Sequence, residues 1–352
     1  MMPLLDRCAA ALGRPVARAA ALAVVAGALA LVVGTFLPAR ATVLAALASA
    51  WLYFAGAAAG SVALGAAIRI AQGRWAKALL PVADAGAAFF FPAWVLLLVL
   101  TLLARTWMPA GEDGGHWMVA AARDLLGGVA LYACGRALVR KATGPEPATR
   151  LAVVYVLLFA VVLSMWAIDL VMSLAEQWAP STAIPAYYFM GSFVTGLAWT
   201  TLISVLRKGS ALDSDGRHDA GMLLFGMTTF LAYLLWSIFL PTWYANLPDE
   251  AGQLMLRWEG GYRPLSWAVL GLGFLFPFVL LLTEAAKRKR ATLVLGASSI
   301  LVGLLVERFM LVFPALHVDG SALSVALAAL VVCGVGGAFC LAVGAKVSAA
   351  EG

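Results

Sequence analysis

Ten stretches of the chain are continuously apolar over about 20 residues, the length that carries an α-helix through ~30 Å of hydrocarbon. They run Val16–Leu37, Ala41–Ile68, Leu79–Ala104, Trp117–Leu138, Leu151–Leu174, Pro185–Leu206, Asp219–Trp243, Leu265–Thr283, Ala291–Phe313 and Ser321–Ala345. In lipid every backbone N–H and C=O must find its partner inside the segment, so such runs fold as helices. Composition leaves no soluble alternative: 63% of the 352 residues are hydrophobic and 12% charged, against roughly 25% charged in an ordinary soluble domain. The expected fold is all-α, a polytopic membrane protein forming a single integral domain over residues 1–352. Ala39-Arg40-Ala41 resembles a signal-peptide cleavage site. The apolar run before it is longer than the 7–15 residues of a signal-peptide core, so it reads as a retained span.

Charge sets the orientation. Arg7, Arg14, Arg18, Arg69, Arg74, Lys77, Arg136, Arg140, Lys141, Arg150, Arg207, Lys208, Arg217, Lys287, Arg288, Lys289, Arg290 and Lys346 fall on one side of this layout. Only Arg40, Arg105, Arg257 and Arg263 fall on the other. Cations collect on the cytoplasmic side, so both termini are expected there; below, inner means the cation-rich side and outer the cation-poor one. The net charge of +6 is thus a topology signal, and a nucleic-acid partner is not expected. Trp107, Trp117, Trp178, Trp243 and Trp258 gather at outer helix ends, where indole rings prefer the headgroup layer. The longest outer connection, Tyr244–Arg263, is too short to fold as a catalytic domain. Function must lie inside the bilayer or in faces shown to partners.

Metal chemistry has little to work with. Cys8, Cys134, Cys333 and Cys340 form no CxxC pair, and His116, His218 and His317 sit in loops or at helix ends. A membrane b-type haem takes axial histidines from within the bundle, so neither haem nor an iron–sulfur centre is expected on this chain. Glycines such as Gly56, Gly60 and Gly65 in the second span and Gly334, Gly336, Gly337 and Gly344 in the tenth suit close helix packing.

Ionisable residues inside spans are the informative ones, because each is costly there. An outer group holds Asp124 beside Arg123, Asp169, and Glu307 beside Arg308. Asp124 lies seven residues into its span, about 10 Å deep at helical rise. An inner group holds Asp84 and the pair His218-Asp219. Two readings stand side by side. The acids pair with Arg123 and Arg308 to hold helices together and Asp219 answers the helix dipole, or the two groups are the mouths of two proton half-channels. With no carboxylate at mid-depth, a through-path requires water and hydroxyls such as Ser164, Thr195 or Thr228. Trp166, Trp178 and Tyr187, with Tyr188, offer flat walls near Asp169 for a quinone ring, or serve as interfacial anchors.

The stretch Ser164-Met-Trp-Ala-Ile-Asp169-Leu-Val-Met172-Ser173-Leu174-Ala-Glu-Gln-Trp178, followed by Ser181-Thr182, resembles the S-x-D-W-x-M-S-L-x-P-x-W-x-S-T pattern of the ActF family. These are NrfD/PsrC-like membrane subunits of bacterial alternative complex III, the quinol:cytochrome c oxidoreductase. His218-Asp219-Ala-Gly221-Met222-Leu223-Leu224-Phe225, Trp243-Tyr-Ala-Asn-Leu-Pro-Asp-Glu250, and Glu307-Arg308 with Pro314 are similar to further motifs of that family, in the same order. The resemblance covers residues from about 160 to the end and departs at Met222, where the family has lysine, and at Leu170, where it has tryptophan. It implies two four-helix bundles plus two flanking helices in a bacterial inner membrane. It also implies a second NrfD-like subunit, an iron–sulfur/molybdoenzyme-like subunit, and multihaem and monohaem cytochrome c subunits as partners, with a terminal oxidase as a further candidate. Haem c and iron–sulfur clusters would then belong to those partners, with quinol or menaquinol a candidate ligand here.

The reading is a respiratory membrane subunit of a quinol:cytochrome c oxidoreductase, without a redox centre of its own, contributing proton translocation or a quinone site. Asp124, Asp169, Glu307 and Arg308 would serve the outer side and Asp84, His218 and Asp219 the inner side. One alternative is a quinol-oxidising NrfD-type anchor of another iron–sulfur/molybdenum oxidoreductase. The other is a stand-alone secondary transporter, which calls for broken helices at mid-membrane; the seventh span reads as uninterrupted, with Pro241 near its end.

Overall fold

A computed structural model describes residues 13–73, 75–103, 116–142, 148–174, 183–207, 212–245, 248–316, 318 and 320–349. Trp107, Trp178 and His317 lie outside the described residues, as does the side chain of His116. Ten helices are long and apolar enough to cross a membrane, and among the described residues there is no strand. We label the helices α1 (Arg14–Phe36), α2 (Arg40–Ile70), α3 (Ala76–Leu102), α4 (His116–Ala142), α5 (Thr149–Leu170) and α6 (Ala183–Leu206). Then follow α7 (Ser214–Ala245), the short outer α8 (Pro248–Leu256), α9 (Arg263–Leu280), the short inner α10 (Glu284–Arg288), α11 (Arg290–Val312) and α12 (Ala322–Ala349). The ten expected spans are all present. Several helices run past the apolar stretch that announced them, because backbone hydrogen bonding continues where the side chains turn polar.

Helix α2 is the central post. It packs against α1, α3, α5, α6, α11 and α12, and nearly every residue from Thr42 to Ala66 is buried. Four aromatic donors tie it to its neighbours. Trp51 Nε1 donates to the Ala93 carbonyl of α3 (2.7 Å) and Tyr53 Oη to Leu301 of α11 (2.9 Å). Tyr155 of α5 and Tyr188 of α6 donate to the Ala59 and Leu52 carbonyls of α2 (3.0 and 3.1 Å). These carbonyls already take a helical bond and accept a second through their free lone pair. Helices α2–α5 form one bundle and α6, α7, α9 and α11 a second, joined where α2 meets α6; α1 and α12 flank them as a pair.

Small residues set the tightest contacts. A Cβ on Gly60 would lie 2.1 Å from the Ser192 carbonyl oxygen, and one on Gly196 2.2 Å from the Ser61 nitrogen, so α2 and α6 meet backbone to backbone. Gly27 of α1 and Gly334 of α12 make the same contact (2.6 Å). Two spans are irregular. A 3₁₀ turn at Gly86–Phe89 interrupts α3, and α9 contains a π-helical turn at Gly271–Leu275. The seventh span is continuous, with Pro241 inside it.

Candidate functional site

On the outer half of the first bundle, α4 carries Arg123 and Asp124 and the end of α5 carries Asp169. Arg123 Nε donates to Asp169 Oδ2 (3.1 Å), and its Nη2 reaches both carboxyl oxygens. Arg123 is the more exposed partner, at 44% against 9% for Asp169. The Asp124 side chain is buried and lies within hydrogen-bonding reach of the Asp169 carboxyl. Among the described residues its Oδ1 has no hydrogen-bond partner. Asp169 faces the guanidinium of Arg123, while the Asp124 carboxyl lies buried beside it. Trp94 and Trp166 donate to the carbonyls of Leu125 and Asp124 (3.2 and 3.3 Å), and both indoles border Gly128.

A second outer cluster sits in the other bundle. Glu307 and Arg308 of α11 are both buried, at 4% and 1% exposure. Arg308 Nη1 donates to Glu307 Oε2 at 2.7 Å, and its guanidinium lies over the Tyr188 ring, 4.6 Å from the centroid. Gly191 of α6 makes room for it, since a Cβ there would lie 2.7 Å from Nη2. Glu307 Oε1 has no hydrogen-bond partner among the described residues, although the Tyr187 hydroxyl and the Arg257 guanidinium flank the carboxyl. Arg257 follows α8, with Nε and Nη2 buried. Burial lowers its pKa to about 10, which leaves it a cation at neutral pH. Tyr188 stands between the two clusters, its ring under Arg308 and within electrostatic reach of Asp124.

Glu307, Arg257 and Tyr187 also line a cavity of about 580 Å³ enclosed by α6, α7, α8, α9 and α11. It extends along α7 from Thr228 to Phe239, about 16 Å at helical rise. Its walls are otherwise almost all apolar, with Trp236, Phe239, Trp258 and Phe274 among them. Thr228 Oγ1, also on the wall, has no partner among the described residues.

The inner residues form two separate sites. Asp84 takes a two-pronged bond from Arg69 (2.9 and 2.6 Å), with Lys346 of α12 within electrostatic reach. His218 Nδ1 and Asp219 Oδ1 are 3.2 Å apart at the start of α7. Around them Arg288 of α10 pairs with Asp215 and with Glu284 (2.9 Å), and Arg217 Nε donates to the Arg288 carbonyl (2.9 Å). Arg288 holds the exposed Glu284 carboxyl below the usual carboxylate range. Met222 is 53% exposed. Lys287 of α10 instead brings a cation against the same helix, its Nζ 5.0 Å from the Phe225 ring centroid and its stem on Gly221.

The structure therefore sets Asp124 beside Asp169 and joins Glu307 to Arg308, whereas Asp84 pairs with Arg69 and His218 with Asp219. Trp166 and Tyr187 do not share a pocket: Trp166 is buried edge-on against Trp51 (centroids 4.8 Å apart) beside Asp124, while Tyr187 lines the cavity. Arg257 was the residue sequence reasoning missed. It reads as one of four outer loop cations, and only the odd placement of a charge beside Trp258 could have singled it out.

Ten helices long and apolar enough to cross a membrane, with carboxyl and guanidinium groups buried between them, define a multi-pass integral membrane protein. The family profile described as polysulphide reductase, NrfD matches residues 117–318. That is more than half of the chain, and the chain belongs to the NrfD family. Members of this family are multi-pass membrane subunits of quinol-interacting oxidoreductase complexes and partner iron–sulfur/molybdoenzyme subunits. No curated protein matches the chain significantly. The matched segment holds both outer clusters, the cavity and His218-Asp219; Asp84 and Arg69 lie before it.

Proposed function

We propose that this chain is an energy-coupling membrane subunit of a quinol:cytochrome c oxidoreductase of the alternative complex III type, similar to ActF, in a bacterial inner membrane. The order of the Asp169, His218-Asp219, Trp243–Glu250 and Glu307-Arg308 motifs supports the type. The observation that carries the coupling role is the Asp124–Asp169 contact. A buried carboxyl beside an ion pair whose arginine is 44% exposed is a group able to hold a proton and pass it outward. Arg123 and Asp169 then set the charge against which Asp124 gives up its proton. On the inner side, Asp219 is partly exposed and, with His218 beside it, positioned to take protons from water. Electrons would stay with the partner subunits, among them cytochromes c, a second NrfD-like subunit and an iron–sulfur subunit.

The test is purification through this chain in mild detergent, followed by measurement of the proton-to-electron ratio of the assembled complex in vesicles. The wild-type chain should bring down cytochromes and an iron–sulfur protein. Asp124→Asn should lower the ratio while quinol oxidation continues. Recovery of the chain alone, or an unchanged ratio in a fully assembled variant complex, would sink the proposal.

A further inference from the structure

We infer that Tyr132, at mid-depth in α4, holds internal water inside the first bundle and is the hydroxyl relay between the inner half of that bundle and Asp124. Tyr132 lies two helical turns inward of Asp124, ~12 Å along the axis, and on the same side of α4, since residues four and eight apart line up on a helix. At that depth no span carries a carboxylate. The side chain is 5% exposed. Its ring is gripped from two sides, stacked on Phe90 of α3 (centroids 4.5 Å, planes 18° apart) and tilted against Trp166 of α5 (6.1 Å). The hydroxyl is buried and has no hydrogen-bond partner among the described residues. A phenylalanine would make both ring contacts and leave no orphan, and a buried hydroxyl without a partner is costly. A tyrosine is explained here only if its hydroxyl is used, and in a buried polar site the missing partner is ordered water.

Two further tyrosines complete the site. Tyr155 of α5 and Tyr188 of α6 both come within electrostatic reach of Tyr132. Each gives its own proton to a carbonyl of the central post, Tyr155 to Ala59 and Tyr188 to Leu52, and each phenol oxygen remains as an acceptor. Tyr155 belongs to the inner part of its span and Tyr188 to the outer part of its own. Two fixed acceptors, with a hydroxyl between them that can both give and take, are the partners a short water chain needs. Tyr188 in turn comes within reach of Asp124, so the row runs Tyr155, Tyr132, Tyr188, Asp124 from the inner half of the bundle to the outer cluster. A proton reaching the Tyr132 oxygen from water on one side is matched by loss of the phenol hydrogen to water on the other. The tyrosine ends neutral, and its hydroxyl turns back. Of the hydroxyls named from the sequence for a through-path, Thr195 is turned onto its own helix, donating to the Gly191 carbonyl (2.7 Å), and Thr228 lies in the other bundle. This inference rests on the energy-coupling reading above and adds the route through the middle of the membrane.

X-ray hydroxyl-radical footprinting of the full wild-type chain in phospholipid nanodiscs tests the water, because radicals made from a held water oxidise the side chain beside it. Tyr132 should be labelled in spite of its burial, while Phe89, 0% exposed, stays unmodified. Tyr132→Phe, which keeps the ring contacts, tests the relay. Loss of a water-bonded hydroxyl should lower the unfolding temperature of the chain. In the assembled complex it should lower the proton-to-electron ratio toward that of Asp124→Asn while quinol oxidation continues. A hydroxyl in a dry core would give the opposite sign, since its removal leaves the protein as stable or more so. No label on Tyr132 in the wild type overturns the inference, and this measurement decides if the variant fails to fold. A more stable Tyr132→Phe chain, or an unchanged ratio in its assembled complex, overturns it as well. The two proposals fail separately. A ratio lowered by Asp124→Asn with an unlabelled Tyr132 removes only the relay, and a ratio that ignores Asp124→Asn removes the coupling role whether or not Tyr132 is labelled.

Discussion

A buried ion pair is weak evidence for stability, because desolvation of both charges offsets their attraction. Glu307 and Arg308 are adjacent in sequence, so the bond between them bridges no helices by itself. What ties Arg308 across the bundle is the Tyr188 ring and the Tyr188 carbonyl, 3.4 Å from Nη2. Removing the cation alone is therefore the harmful change. Arg308→Met leaves Glu307 buried beside one remaining guanidinium and should cost about 3–5 kcal/mol. The double variant Glu307→Gln/Arg308→Met should be more stable than Arg308→Met alone, since no uncompensated charge remains. Thermal unfolding of the three proteins in detergent would show the order; a double variant less stable than the single would mean the two side chains act independently. At this scale the sequence was informative about which residues matter. Charges in apolar runs stand out because each is expensive, and Asp124, Asp169, Glu307 and Arg308 all proved to be buried or to contact one another. It could not show which acid faces which cation. Arg123 reaches forward to Asp169 on the next helix and leaves its neighbour Asp124 bare of a cation, a choice made by helix rotation.

Among the elements, α2 and α6 depend most on what their residues lack. Gly60 and Gly196 let two backbones touch, bringing Ser192 onto α2 and Gly191 to Arg308, so the joint between bundles and the second outer cluster share one pair of helices. Without a hydrophobic drive between helices in lipid, such contact is a main source of packing energy. Gly60→Leu should separate α2 from α6 and lower the yield of monodisperse protein, whereas Gly226→Leu, on α7 with nothing within 4 Å of its Cβ, should be tolerated. Comparing the two by size-exclusion chromatography checks this; equal behaviour would contradict the close joint. The glycine pattern announced close packing, yet partner helices were invisible in it. The π-helical turn of α9 was equally hidden, since Gly271, Gly273 and Pro277 are compatible with a regular apolar helix.

For the whole molecule, the distribution of cations predicts one orientation only. With native cysteines replaced, Glu259→Cys should react with a membrane-impermeant maleimide in intact cells, and Lys289→Cys only after lysis. Both positions are exposed in connections between helices. The opposite pattern would reverse inner and outer throughout and place Asp124 and Glu307 on the cytoplasmic side.

By itself, the sequence determined ten spans, the cation bias that predicts their orientation and the short list of charges worth attention. These follow from local physics: apolar length, cation bias and the cost of an ion in hydrocarbon are properties of a segment and need no partner. Tertiary structure alone decided what those charges do. It set Asp124 against Asp169, drew Arg257 out of an outer connection to flank Glu307, sent Trp166 into the core and Tyr187 to a chamber wall. Each of these depends on the rotation and separation of helices far apart in the chain, and no run of residues carries that information on its own.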